Sequence, residues 1–198
     1  MTPYSLAFYV DVIASGTVLG AGPADDPDRV TAILGPDYAE NSFDDHGMWR
    51  DYGMAEFFWS RESPDHPWQG HHFTLQVHRL PYGDGVVNPV LRERYGRFGR
   101  RLRFDRLERL LVRRGITLEE VPGADAPVCS LHWQPASQVS VTVRRAREGG
   151  YGGAGSKRAR RRGDLRVGDV HAVTSSMTAE QVAWYREHYG GRKAAAGS

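Results

Sequence analysis

Two runs in this chain restrict its folding more than any others. The first, Trp49-Arg50-Asp51-Tyr52-Gly53-Met54-Ala55-Glu56-Phe57-Phe58-Trp59, is dense in aromatic residues, which suits a strand. The second, His71-His72-Phe73-Thr74-Leu75-Gln76-Val77-His78-Arg79-Leu80, alternates. Phe73, Leu75 and Val77 point one way, and His72, Thr74, Gln76 and His78 the other. That period of two predicts a strand with one buried face. Between the runs, Ser63, Pro64, Asp65, Pro67 and Gly70 carry turn chemistry. The stretch Trp49–Leu80 therefore reads as an antiparallel hairpin with a long loop.

The flanking chain supplies further short elements. Leu6, Phe8, Val10 and Val12 alternate and predict a strand over Leu6–Ile13. Asp26, a candidate N-cap, precedes Pro27, and Gly35-Pro36 stops a helix whose inward residues are Val30, Ile33 and Leu34. Asp37 to Gly47 reads as a loop, and Val90 to Tyr95 as a turn of helix. Leu107, Leu110 and Leu111 mark a helix from Phe104 to Arg114, ended by Gly115. Strands follow over Ile116–Val121, Val128–Trp133 and Val139–Val143, and another within Asp164–Thr174. Thr178-Ala179-Glu180-Gln181 has the form of a capping box opening a helix to Tyr189. The expected fold is α+β: one or two antiparallel sheets with short helices packed on one face. Residues 1–189 are expected to form one domain, with a flexible basic loop over 146–163 and a frayed tail over 190–198.

The chain has 198 residues and one cysteine, Cys129, so no internal disulfide framework is available. Its opening, Met1-Thr2-Pro3-Tyr4, lacks a basic region, and Asp11 interrupts the apolar run after it. No signal peptide and no membrane-spanning run are expected, and a cytoplasmic location is the simplest expectation. The formal charge of +2 decides little. Its distribution says more: acidic residues gather over Asp25–Asp51 and basic ones over Arg92–Arg114 and Arg144–Arg166.

No catalytic constellation emerges. His72 and His78 share a strand face but lie roughly 20 Å apart at strand rise, with His71 turned away, so no metal site is expected. Cys129 and His132 point to opposite faces, and Cys129 reads as a buried structural thiol. Gly20-Ala21-Gly22 and Gly149–Gly155 lack the context of phosphate loops. Asp44, Asp45, Asp51 and Glu56 read as a solvated acidic surface. Neither a cofactor nor a metal is expected. Two binding surfaces stand out. Trp49, Arg50, Tyr52, Trp59, Trp68, His72 and His78 make the hairpin a candidate protein interface, because Trp, Tyr and Arg are where binding energy concentrates. Placement in the core remains open for any one tryptophan; Trp133 is assigned to the core. Lys157, Arg158, Arg160, Arg161 and Arg162 suit nucleic-acid phosphates or an acidic protein.

Asp28-Arg29-Val30-Thr31-Ala32-Ile33-Leu34 is echoed 77 positions later by Asp105-Arg106-Leu107-Glu108-Arg109-Leu110-Leu111. The echo suggests two helix-then-sheet units, about 26–80 and 104–145, around one core. The ending Val30-Thr31-Ala32-Ile33-Leu34-Gly35-Pro36, with Tyr52-Gly53 beyond it, resembles the repeat of outer-membrane assembly lipoproteins and of the beta-lactamase inhibitory protein. Here the proline comes one place early, and the inhibitor's disulfides are missing. Arg50-Asp51-Tyr52-Gly53 and Gln76-Val77-His78-Arg79-Leu80 also look like small bacterial immunity proteins. These resemblances imply a binding protein and no enzymatic activity. The leading expectation is an immunity or inhibitor protein covering the site of a cognate toxin or enzyme; the alternative is a nucleic-acid-associated protein using Lys157–Arg162. No membrane partner is expected.

Overall fold

The strand marked by the alternation of Phe73 and Leu75 against His72 and Thr74 lies at the centre of a single sheet. The computed structural model describes residues 3–42, 44–123, 128–145 and 165–190. Helices α1 (Pro3–Ser15) and α2 (Pro27–Leu34) precede strands β1 (Ala39–Ser42), β2 (Gly47–Asp51), β3 (Ala55–Ser60) and β4 (Gln69–Leu75). Short 3-10 turns over Val77–Tyr82 and Asp84–Val86 lead to α3 (Pro89–Tyr95) and α4 (Phe104–Arg113). Strands β5 (Glu119–Val121), β6 (Cys129–Gln134), β7 (Val139–Arg144) and β8 (Val170–Ser175) follow, then α5 (Ala179–Tyr189). All eight strands form one antiparallel sheet in the order β1-β2-β3-β4-β8-β7-β6-β5. Each group of four is a meander preceded by two helices. The meanders meet where β4 pairs with β8, Thr74 lying opposite Thr174.

Local chemistry sets several of these elements. The Asp26 side chain accepts from the Arg29 amide at 2.8 Å, so α2 starts at Pro27 as its cap requires. Thr178 and Gln181 close a reciprocal capping box on α5. In α4, Leu107 and Leu111 are buried and the arginines lie outside. The fold is α+β with an antiparallel sheet, although the helices do not all share one side. α5 lies against the face of the sheet opposite α4: Phe104 of α4 stacks on His132, whereas the neighbouring Trp133 donates to the Met177 carbonyl at the foot of α5.

Four expectations are corrected. Leu6–Ile13 is part of α1 and not a strand. Phe8, Tyr9, Val10, Val12 and Ile13 are all buried, and a helix apolar on nearly every side carries no 3.6-residue stripe to reveal it. Phe8 packs edge-on against Tyr9, Tyr95 and Phe98 at 5.1, 5.2 and 5.5 Å, while Asp11 turns outward to Arg114. The run Trp49–Trp59 is itself a hairpin, β2 and β3 joined through Tyr52-Gly53-Met54. The strand after it ends at Leu75, and Val77–Tyr82 coils into a 3-10 turn that buries Val77, Leu80 and Pro81. The loop Asp37–Gly47 contains the exposed edge strand β1. The expected basic loop, and the tail from residue 191, lie outside the described residues.

Gly53 makes the tight β2–β3 turn possible. Its φ is +89°, and an added Cβ would stand 2.5 Å from the Val86 carbonyl oxygen. Gly53→Ala should therefore cost about 2–3 kcal/mol, combining left-handed strain with a backbone clash, and a denaturant midpoint would measure it. A loss below about 0.5 kcal/mol would mean that the turn yields freely.

Candidate functional site

A strand sends alternate side chains to opposite faces, so the two faces of this sheet follow from the register. One face carries Phe57, Trp59, Phe73, Leu75, Val139, Val141 and Val173, all buried in the main core with α1 and α2. The other carries Trp49 and Asp51 of β2, Glu56 and Phe58 of β3, His72 and Thr74 of β4, and Thr174 of β8. Farther on come Leu131 and Trp133 of β6 and Val121 of β5. α5 sits at that far end, where Met177, Val182 and Tyr185 pack with Val121, Leu131 and Trp133. At the near end Trp49, Phe58 and His72 stay half-exposed.

These three rings form a cross-strand row because the register sets Trp49 opposite Phe58 and Phe58 opposite His72. Trp49 and Phe58 stack at 6.4 Å and 20°, and Phe58 and His72 at 4.1 Å and 10°. A bulge between Phe58 and Trp59 leaves His71 as the extra residue on β4. It brings the Nδ1 atoms of His71 and His72 within 2.7 Å, a geometry that strict alternation had excluded. Among the described residues no three metal-capable side chains converge there or elsewhere.

A polar cluster flanks the row, two residues farther along β2 and β3. Arg79 reaches from the 3-10 turn to Asp51 at 2.9 Å, to the Gly53 carbonyl at 2.8 Å and to Glu56. Gln76 also donates to Glu56. Two carboxylates thus share one guanidinium, and Glu56 is only 6% exposed, so the solvated surface expected for it is corrected. Beside them His78 stacks on His171 at 4.6 Å. At the sheet centre the Thr74 and Thr174 hydroxyls lie 3.4 Å apart.

Of the residues expected at an interface, the structure brings Trp49 and His72 together and separates the rest. Trp59 is 1% exposed on the opposite face, its Nε1 donating to the Asp25 carbonyl at 2.8 Å. Tyr52 is buried with its hydroxyl 2.9 Å from the Thr31 hydroxyl. Arg50 is a brace for α2: it donates to Glu40, the Pro27 carbonyl and Thr31, each at 2.8 Å, and stacks over Tyr38. Trp68 packs on the core beneath the Arg61 guanidinium. His78 sits on the 3-10 turn at the edge of the polar cluster. Cys129 is half-buried, less enclosed than its alternation suggested. Lys157, Arg158, Arg160, Arg161 and Arg162 lie outside the described residues. Phe58, Glu56 and Arg79 belong to the face and were missed as a group; the signal available was that Glu56 and Phe58 alternate against Phe57 and Trp59.

Burial holds the imidazoles of this region in their neutral form. The pKa of His72 is lowered to about 4, first by burial and then by His71. His71, His78 and His132 are lowered by burial too. A histidine whose folded pKa lies below its unfolded value contributes stability above the unfolded pKa, and that stability is lost as pH falls toward the folded pKa. Unfolding midpoints should therefore drop between pH ~6.5 and about 4, with proton uptake on unfolding. His72→Gln should flatten part of that slope. An unchanged slope in this variant would remove His72 from the account.

Together the fold and this face define a class: an α+β protein on one open antiparallel sheet, with helices packed on both faces and one stretch of aromatic face half-exposed. No protein family, curated protein or solved structure matches the chain. No helix among the described residues is long and apolar enough to cross a membrane.

Proposed function

We propose that this chain is a non-enzymatic protein-binding protein, an immunity or inhibitor protein that acts in the cytoplasm and covers the site of a cognate toxin or enzyme with the Trp49–Phe58–His72 face. The observation that carries the reading is the row itself: three stacked, half-exposed rings on a rigid sheet, at the edge of a paired charge cluster. Rigid aromatic surface binds at low entropic cost, and the charges around it select and steer the partner. In the same reading the two meanders are tandem repeats of the kind found in the beta-lactamase inhibitory protein. The helix starts at Pro27 and Phe104, 77 positions apart, and the palindromic strand order support it.

A nuclease-treated affinity capture from the native host, washed at low and then moderate salt, tests the reading. The expected result is one stoichiometric protein whose activity the chain inhibits, lost with Trp49→Ala and Phe58→Ala. Capture of nucleic acid that vanishes with salt and with deletion of residues 157–162 would overturn it in favour of phosphate binding.

A further inference from the structure

We propose that the Trp49–Phe58–His72 half of the face is a seat for an amphipathic helix of the partner, one that carries a lysine or arginine toward Asp51 and Glu56. The proposal rests on the protein-binding reading above and names the element that binds.

The sheet is pseudo-symmetric. Its strand order reads the same from either edge, and Thr74 opposes Thr174 where the halves meet. Stepping outward from that pair, the register relates the halves position by position. Thr74 opposes Glu56 on one side, and Thr174 opposes Ser140 on the other. The row His72–Phe58–Trp49–Asn41 corresponds to Ala172–Thr142–Leu131–Val121. By the same steps Asp51 corresponds to Trp133.

In the second half the chain itself shows what this face accepts. α5 lays Val182 and Tyr185, three residues apart, with Met177 just before it, onto Val121, Leu131 and Trp133. Its Arg186 reaches Glu119 on the edge strand at 2.6 Å. The occupant is an amphipathic helix with an apolar stripe and a cation at the rim. The same face continues through Ser140, Thr142, Thr174 and Thr74 to the aromatic row. There the larger rings Trp49 and Phe58 take the place of Leu131 and Thr142, and the exposed Asn41 that of Val121 at the edge.

The charged positions set the chemistry of the occupant. The positions equivalent to Trp133 and Ser140 are Asp51 and Glu56, two carboxylates against the single guanidinium of Arg79. This leaves one excess negative charge in the row that runs beside the aromatic one. The Asp51 side chain is 27% exposed and can meet a second cation. His71 and His72, held neutral at pH 7, put no positive charge in the way. A helix with an aliphatic stripe and a basic residue flanking it matches this pattern, and an acidic helix does not.

Two display libraries test this against the immobilised full chain at pH 7. One randomises the exposed face of a helix in a fixed three-helix scaffold, and the other randomises a disulfide-closed loop. The expected result is binders from the helical library with an apolar i, i+3, i+4 stripe and a Lys or Arg. They should weaken about thirtyfold against folded Trp49→Ala, and similarly against Thr74→Lys, which adds a repelling charge on the same face. Changing the binder's basic residue to Glu should weaken it comparably. Row-dependent binders from the loop library alone would overturn the helix and leave the protein-binding reading standing. No row-dependent binder from either library would overturn both. Acidic helical binders would overturn the charge assignment.

Discussion

Trp59→Ala is expected to destabilise the protein by about 4 kcal/mol, whereas Trp49→Ala should cost about 1 kcal/mol and abolish partner binding. The two tryptophans lie ten residues apart on paired strands, and only their faces differ. Trp59 stacks on Phe57 at 6.1 Å and ties its indole N–H to the Asp25 carbonyl, so truncation opens a cavity and removes the donor of a part-buried acceptor. Trp49 stacks on Phe58 and is only partly buried on the opposite face, so its removal costs less packing than that of Trp59. Urea unfolding of both variants beside a binding assay separates them. Equal destabilisation would refute the assignment of faces.

Arg79→Met should cost about 3 kcal/mol at pH 7, far more than loss of a surface ion pair. Its removal leaves the Glu56 carboxylate buried next to Asp51, with Gln76 as its remaining donor in the cluster. A buried carboxylate that loses its guanidinium keeps the full cost of its desolvation. Glu56→Gln placed on Arg79→Met should recover most of the loss, and the double-mutant cycle gives the coupling. A cost below about 1 kcal/mol would show that water screens this cluster.

Much of the local structure was legible in the residues. Asp26-Pro27 and Thr178–Gln181 cap helices through bonds spanning three residues, so nearby sequence suffices to predict them. The alternation in Phe73–Leu75 and Val139–Val143 marks strands because a sheet with one greasy face demands it. Half of the candidate site was legible on the same grounds: Trp49 and His72 were visible as aromatic strand residues. The glycine turn at Gly53 settled the others, since it splits Trp49–Trp59 into two strands and sends Arg50 and Trp59 to the core side.

Sequence alone determined the class of fold, the helix caps and the strands whose period is set by one buried face. Tertiary structure decided what depends on contacts far along the chain. It made Leu6–Ile13 a helix, because a segment enclosed on all sides gains nothing from a stripe. It joined β4 to β8 across a hundred residues, Thr74 to Thr174, and it laid α5 over one half of the face and not the other. Local propensity has no term for those choices; they are made by which apolar surfaces, distant in the chain, leave water together.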